Sequence, residues 1–357
     1  MRAAFFILLT CLPGAAAAET RLAPQDAALL QEALVTTADT FILPAYEAQS
    51  EAADELVTAL GAYCASEAPL DPVHTSFADL FLAWQRSSIV GLGPIAEAEG
   101  PMRVQLWPDP KGFSARATRA ASASADPSLL APGGLDGRSI ALTNLTALEG
   151  LIHEPVAPGS FGCDLTVAIA GFQADLAIGL VSAWTPGSDY RALFDDPGVE
   201  NPRYASVDDQ VRDLLAGAVV YVDRLRKFKL LRGMGSAPGE ARAERTEAAA
   251  SGLGRESIAT AFAALADLYD TPFGLFDMAP EIGGSLEYIV LSQTAVSLAT
   301  DVTLMDASLT DIAREDGQHA QDLRRMADAV LFQERFLKTG FLSSIGLTAG
   351  FTSADGD

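Results

Sequence analysis

The chain has 357 residues, and at about 150 residues per domain this length favours two domains over one. Hydrophobic residues make up 49% and charged residues 20% of the sequence, so the chain can bury an ample core and global disorder is excluded. The 24 basic and 47 acidic residues give a net charge of −23. This charge argues against nucleic acid or an anionic membrane surface as a partner, because each needs a cationic face.

The N-terminus has the pattern of a secretory signal peptide over residues 1–18. Arg2 precedes an apolar run over residues 3–9, and the alanines at 16–18 supply a small-residue cleavage site. The residue before Cys11 is not small enough for lipidation, so a lipoprotein is not expected. No later apolar run is expected to reach the ~18 residues of a membrane span. We therefore expect export to the periplasm of a Gram-negative bacterium.

Two cysteines, Cys64 and Cys163, remain after the predicted leader is removed. In an oxidising compartment an even pair is most simply one structural disulfide. Such a bond would close a loop of some hundred residues and stabilise the fold by about 4–5 kcal/mol in the chain-entropy model. Two free buried thiols are the alternative.

Almost every long segment has the apolar spacing of a helix. In chain order, the predicted helices cover residues 24–43, 45–66, 72–91, 109–123, 139–153 and 161–184, then Val207 to Phe228, the region of 258–265, and a last helix of about 30 residues that includes 312–337. Only in residues 102–107 does the hydrophobicity of the side chains alternate with period two, as it would in a short strand or an extended loop. Helices joined by short loops predict an all-α protein built from antiparallel bundles.

The clearest break in this pattern, at residues 185–204, is rich in proline, glycine and acidic residues. It predicts a first helical bundle over 19–195 and a second over 196–357, with a mobile loop at about 233–254. A weak internal similarity between residues 147–152 and 285–290 favours a duplication.

Glu149 is the most informative polar residue of the first half. It shares the apolar stripe of Leu142 and Ile152, so its carboxylate should point inward, where it needs a cation, a hydrogen bond or a proton. His153 lies one turn later and could share a metal ion with it; an ordinary inter-helix hydrogen bond is the alternative. In the second half, Glu287 and Asp301 share an apolar phase and are predicted to point inward in the same way.

Established peptidase motifs are absent. The dipeptide His153-Glu154 has Ala157 where a helix-borne zinc signature needs its second histidine, and the sequence contains no Gly-x-Ser-x-Gly and no glycine-rich phosphate loop. Trp107 stands beside Asp109 in an irregular segment and is a candidate wall of a cleft, whereas a lone helical tryptophan such as Trp84 is more often a core residue.

Several segments together resemble the imelysin-like family. The matching motifs, in chain order, are Ala83-Trp84, Gly93-Pro94, the stretch 103–109, the helix 139–152, Glu247 with Ser251-Gly252, and the C-terminal stretch 350–357 that contains Asp355. Cys64 and Cys163 also stand where related periplasmic members carry a cysteine pair. The resemblance implies two four-helix bundles, related by duplication, around a shared cleft.

The same resemblance implies a function linked to insulin-cleaving metallopeptidases or to iron uptake. The family motif Gly-x-His-x-x-Glu corresponds here to residues 144–149, in which only Glu149 is retained. A site that keeps the carboxylate and loses the histidine suits a hard ion such as ferric iron better than catalytic zinc.

The sequence therefore predicts an exported, non-catalytic protein that binds iron, or a ligand linked to iron uptake, between its bundles. The expected ligand-binding residues are Trp84, Trp107, Glu149, Glu247, Ser251 and Asp355, and the expected metal ligands are Glu149 and His153. A metallopeptidase that uses Glu149 is the first alternative. An acidic module that docks another periplasmic iron-uptake protein is the second.

Overall fold

Helices form all the regular structure in the described part of the chain. The computed structural model describes residues 21–97, 100–154 and 156–348, so the predicted signal peptide (1–18) and Asp355 lie outside the described residues. No β-strand occurs within these three ranges, and the all-α prediction is confirmed.

Seventeen α-helices are described. In the first half they are α1 (Pro24–Thr37), α2 (Leu43–Cys64), α3 (Asp71–Ser87), α4 (Gly100–Val104), α5 (Phe113–Ser124), α6 (Ile140–Thr143), α7 (Leu145–His153), α8 (Phe161–Trp184) and α9 (Asp189–Asp195). In the second half they are α10 (Val207–Arg224), α11 (Leu231–Met234), α12 (Gly254–Tyr269), α13 (Leu275–Met278), α14 (Glu287–Thr303), α15 (Leu309–Glu315), α16 (Gln318–Arg335) and α17 (Phe341–Ser344).

Three of the helix junctions are π-helical turns. They lie at Ala38–Ile42, Leu225–Leu230 and Phe336–Gly340, between α1 and α2, α10 and α11, and α16 and α17. A π turn is wound more loosely than an α-helix, so it shifts which residues face inward, and such turns are often found at functional sites. The second of them shapes the site described below.

The helices pack around one continuous core. α2 packs against α3 and α8, α12 packs against α14, and α3 also packs against α12. The buried cluster accordingly includes Phe77 of α3 together with Phe262 of α12. The division at residue 195 and the duplication stay predictions.

The sequence features that position α10 are visible in its contacts. The Ser206 Oγ accepts a hydrogen bond from the Asp209 backbone N–H and caps the helix. Along the same helix, Gly217 meets Gly91 of the segment after α3: a Cβ atom added to Gly217 would lie 2.7 Å from the Gly91 Cα. Only two glycines allow the backbones to approach this closely.

A disulfide joins Cys64, the last residue of α2, to Cys163 in the first turn of α8, with Cα atoms 5.7 Å apart. The predicted pairing is confirmed. α8 is 24 residues long, and its most apolar window has a mean hydropathy of 1.6, so by length and composition it could cross a membrane. The prediction that no later run has this composition is therefore wrong for α8. The helix packs against α2 and α7.

Some local predictions differ from the structure. The segment 102–107, predicted as extended, begins inside α4, whose second residue is Pro101, a position that suits proline. The predicted last helix is interrupted at Asp316, which has φ 47° and ends α15. Glu287 and Asp301 are exposed, because the buried stripe of α14 follows Tyr288, Leu291, Ser292, Ala295 and Val302 instead.

Candidate functional site

A cleft of about 950 Å³ opens where the two halves of the sequence meet. Residues from α3 and the segment after α4 form one side, and residues from α10 and the following π turn form the other. The residues that line the cleft include Trp84, Gln85, Gln105, Trp107, Arg203, Arg212, Tyr221, Arg224, Phe228, Lys229 and Glu247. Three residues predicted to bind ligand, Trp84, Trp107 and Glu247, are among them.

The deepest part of the cleft is a buried ion pair between Lys229 and Glu247. Lys229 Nζ lies 2.6 Å from Glu247 Oε2, and Glu247 is only 2% exposed. The Ser257 hydroxyl donates to the same carboxylate oxygen at 2.7 Å, and the Gln105 amide donates to Glu247 Oε1 at 2.9 Å. Every oxygen of this carboxylate therefore has a donor, as a buried charge requires.

Two further side chains of α3 complete this arrangement. Gln85 Oε1 accepts a hydrogen bond from Lys229 Nζ at 2.6 Å, and the Trp84 indole N–H donates to Gln105 Oε1 at 3.0 Å. We call Trp84, Gln85, Gln105, Lys229, Glu247 and Ser257 the floor network. It joins three residues of the first half to three of the second, so it fixes the two sides of the cleft against each other.

The floor network controls the charge of its own members. Burial acts to raise the pKa of Glu247, but the attraction of Lys229 and the hydrogen bonds from Lys229, Ser257 and Gln105 outweigh it, and the pKa is lowered. Burial lowers the pKa of Lys229, and the attraction of Glu247 opposes that shift. The attraction between the two groups thus favours the charged form of each.

Sequence reasoning missed Lys229 because of the π turn at Leu225–Leu230. The apolar spacing of α10 continues from Leu225 to Phe228, three residues later, and predicts that Phe228 faces the core. In the wider π turn the buried positions are Lys229 and Leu230, four and five residues after Leu225, while Phe228 is only half-buried. The sequence contained one indication of an inward lysine: Lys229 stands four residues after the buried Leu225.

Arg224 is the cation in the cleft wall that has no carboxylate partner. Its Nη2 donates to the Trp107 carbonyl oxygen at 3.1 Å, and no carboxylate in the described ranges lies within 4 Å of it. Burial lowers the pKa of Arg224, opposed by Glu247 and Asp223. Arg203, elsewhere in the cleft lining, does have a carboxylate partner: its Nη2 lies 3.6 Å from Asp213 Oδ2. Arg224 is thus placed to receive an anionic group of a ligand.

Glu149 is 9% exposed on α7, inward as the periodicity predicts, but it does not line the cleft. Its Oε1 accepts hydrogen bonds from the Ser251 N–H at 2.9 Å and the Ser251 hydroxyl at 2.8 Å. Burial raises the pKa of Glu149, the Ser251 hydrogen bonds partly offset this, and Glu247 adds to the rise. Glu149 and Ser251 therefore form a second contact between the halves, beside the cleft.

His153 has a different environment from the one predicted. Its ring stacks on His74, with centroids 4.6 Å apart, and contacts the edge of Phe77. Burial, followed by repulsion from His74, lowers the pKa of His153. Within the described ranges, no three His, Cys, Asp or Glu side chains gather to hold a metal ion. Glu149 instead bonds to Ser251, and His153 stacks on His74.

The residues that replace the family motif have structural roles of their own. Asn144 Oδ1 caps α7 by accepting from the backbone N–H groups of Thr146 and Ala147. Thr146, at the histidine position of the motif, donates its hydroxyl to the Leu106 carbonyl oxygen at 3.1 Å. This set of donors does not fit a catalytic zinc ion.

Comparisons with known proteins agree with this architecture. The family model described as Imelysin (peptidase family M75) matches residues 42–333. An imelysin-like protein from Psychrobacter arcticum 273-4 has a similar structure, with a TM-score of 0.73 at 16% identity over 91% of this chain and 98% of that one. A protein described as an iron-regulated protein A precursor from Parabacteroides distasonis has a TM-score of 0.72 at 11% identity over 92% and 98% of the two chains. A comparison with curated proteins finds no match.

Proposed function

This chain belongs to the imelysin family, and on that premise we propose that it is an exported protein that binds an iron-linked small-molecule ligand in the cleft. The observation that carries the proposal is the combination of an unpaired cation, Arg224, with Trp107 at the wall of a cleft whose floor network is fully hydrogen-bonded. A hydrogen-bonded polar floor, an aromatic wall and a cation with no carboxylate within 4 Å among the described residues suit a small ligand with an anionic group.

Iron would enter this cleft as cargo. The described residues offer no group of three metal-binding side chains, so the atoms that hold the iron would come from the ligand itself. Ferric iron is a hard ion that prefers oxygen donors, and its oxygen-rich chelates carry the negative charge that Arg224 would attract. The similarity to a protein described as an iron-regulated precursor supports the link to iron.

Export is supported by two observations. The Cys64–Cys163 disulfide is typical of oxidising compartments, and a structural neighbour is described as a precursor. With the N-terminal pattern of the sequence, they support a periplasmic location.

The metallopeptidase alternative has less support. Glu149 is hydrogen-bonded to Ser251, and Thr146 stands at the histidine position of the motif. We therefore expect no chelator-sensitive cleavage of insulin chains by the purified protein. Turnover that is lost both with a chelator and in Glu149→Gln would make the peptidase the better assignment.

Thermal melts and calorimetric titrations with ferric citrate, iron-free citrate, zinc chloride and calcium chloride test the proposal. We expect ferric citrate to stabilise the protein most, by about 2.7 kcal/mol at a hundredfold excess over Kd. Arg224→Gln should weaken this binding at least tenfold, because it removes the free cation. Arg314→Gln, which removes an exposed arginine paired with Asp311, is the matched control and should bind normally.

Two results would contradict the proposal. No stabilisation by ferric citrate at any concentration would leave the cleft without its proposed ligand. An equal response to zinc and calcium, unaffected by Arg224→Gln and lost in moderate salt, would instead indicate diffuse binding to a surface of net charge −23.

A further inference from the structure

A second cavity, of about 500 Å³, lies next to the loop that follows α11. Four basic side chains line it, Lys227, Arg232, Arg242 and Arg245, together with the single acid Glu240. We call this cavity the basic pocket. It is distinct from the cleft, and none of these five residues lines the cleft.

The charges of the basic pocket are not balanced from within. Glu240 directs Oε2 to two backbone N–H groups of its own loop, at 2.8 and 3.1 Å. Arg242 donates to two backbone carbonyl oxygens. Lys227 pairs with Asp223 at 2.7 Å. Within the ranges that the structure describes, Arg232, Arg242 and Arg245 have no carboxylate within 4 Å.

Arg232 is the least exposed of the three arginines. Its guanidinium carbon lies 5.8 Å from the centre of the Trp107 ring, and its Nε is buried without a hydrogen-bond partner among the described residues. Burial, followed by repulsion from Arg245, lowers the pKa of Arg232. Arg242 and Arg245 are exposed, so water screens part of the repulsion between these like charges, and a bound anion would remove the rest.

A shortage of acids does not explain the missing partners. The chain has 47 acidic and 24 basic residues, and other arginines find carboxylates readily: Arg191 pairs with both Asp39 and Asp195, each at 2.6 Å. In so acidic a protein, three arginines around one cavity with no carboxylate within 4 Å leave room for an anion, since Asp316 attracts Arg242 only from beyond that distance.

We propose that the basic pocket binds a phosphate group, either as the free ion or as part of a small phosphomonoester. Guanidinium groups donate paired hydrogen bonds that match the oxygens of phosphate, and a dianion would neutralise two of the three arginines. The orphan Nε of Arg232 would gain an acceptor. Trp107 lines a neighbouring small cavity with Arg232, Arg245 and the acids Asp109 and Glu244, and it contributes to the cleft wall. Its fluorescence should therefore report the binding.

The experiment titrates the full exported chain with inorganic phosphate and with glycerol phosphate, using calorimetry and tryptophan fluorescence at constant ionic strength. The variant Arg232→Gln/Arg245→Gln should bind at least tenfold more weakly. The control Arg314→Gln/Arg325→Gln removes two exposed, carboxylate-paired arginines and should bind as the unmodified protein does. The single variant Arg245→Gln, at an exposed position, should weaken binding even if Arg232 is needed for folding.

The outcomes separate this proposal from the one for the cleft. Tighter binding of inorganic phosphate identifies the free ion as the ligand, and tighter binding of glycerol phosphate identifies a phosphomonoester. Absence of binding to both, or equal weakening in the control variant, would overturn the proposal. Loss of phosphate binding in Arg224→Gln would also overturn it, because the anion would then lie in the cleft. Retained phosphate binding beside lost ferric citrate binding in that variant would show two independent sites.

Discussion

Two buried carboxylates link the halves of this protein, and their surroundings differ. Glu149 is bonded by Ser251, a neutral donor, and its pKa is raised. Glu247 is bonded by Lys229, Ser257 and Gln105, and its pKa is lowered. Similar burial thus leads to opposite shifts, because hydrogen bonds from neutral groups only partly offset the loss of water, while a buried cation reverses its effect.

One short segment creates both environments. Glu247 and Ser251 stand four residues apart, so the same chain segment supplies an ionised carboxylate to the floor network and a donor to Glu149. This explains why the Glu-x-x-x-Ser-Gly element is informative in the sequence. It also bears on the predicted mobile loop at 233–254, within which Thr246, Glu247 and Ala248 are buried.

Removal of the cation at the Glu247 site should have the largest effect. We expect Lys229→Met to lower the free energy of unfolding by about 3–5 kcal/mol, because Glu247 is left as a buried charge without a partner. Urea unfolding at pH 7 measures the loss. The matched control is Lys227→Met, since Lys227 lies two residues away with its side chain 55% exposed and should cost less than about 1 kcal/mol. Equal losses in the two variants would show that the ion pair has no special role.

The double variant Lys229→Met/Glu247→Gln tests the same ion pair by removing both of its charges. With both charges gone, the unpaired carboxylate no longer exists, so stability should recover by about half or more of the loss in Lys229→Met. A purely additive cost of the two substitutions in the same unfolding measurement would contradict this coupling.

At the Glu149 site, Ser251→Ala should have a smaller effect. It removes one of the two hydrogen bonds to Glu149 Oε1 and leaves the backbone one, so we expect a loss of about 1.5 kcal/mol at pH 7. The loss should shrink at pH 4, where protonation of Glu149 weakens the lost interaction. Ser297→Ala, at an exposed position of α14, is the control for serine removal. A loss that is the same at both pH values would mean that Glu149 is not the partner that matters.

The smallest effect is expected from Glu149→Gln, and it depends on pH. Below about 4.5, the usual pKa of glutamate, Glu149 is protonated in both the folded and the unfolded protein. As the pH rises from there through the raised folded-state pKa, the unfolded state releases its proton first, so the unmodified protein loses stability that the variant keeps. Unfolding free energies from pH 4 to 8 should therefore shift in favour of the variant. A pH-independent difference would contradict the raised pKa.

The sequence was sufficient to predict features that depend on residues close together in the chain. Helix spacing predicts α8 at its observed bounds, and the inward position of Glu149 follows from its apolar neighbours on α7. It was insufficient at the π turn Leu225–Leu230: the position of Lys229, four residues after a buried leucine, allowed an inward side chain, but the local pattern could not show the carboxylate that pairs with it. For α14, the predicted phase of Glu287 and Asp301 was wrong because an amphipathic spacing with several apolar positions fits more than one buried face.

The partners of polar groups were the least predictable part of the site. The pattern of α7 indicated that Glu149 needs a partner, but it could not show that Ser251, a hundred residues later, supplies it. His153 likewise stacks on His74, a residue of another helix that the spacing of α7 could not indicate. The metal ion shared with Glu149 stays a prediction.

The disulfide has a topological consequence for the cleft. Cys64 and Cys163 close a covalent ring of chain that encloses every residue the first half contributes to the floor network, as well as Trp107 and Glu149. A single peptide bond cut anywhere within this ring would leave both pieces covalently attached. A protease that nicks one of its surface loops would therefore open the chain without releasing a fragment, and only a reductant would let the two pieces separate.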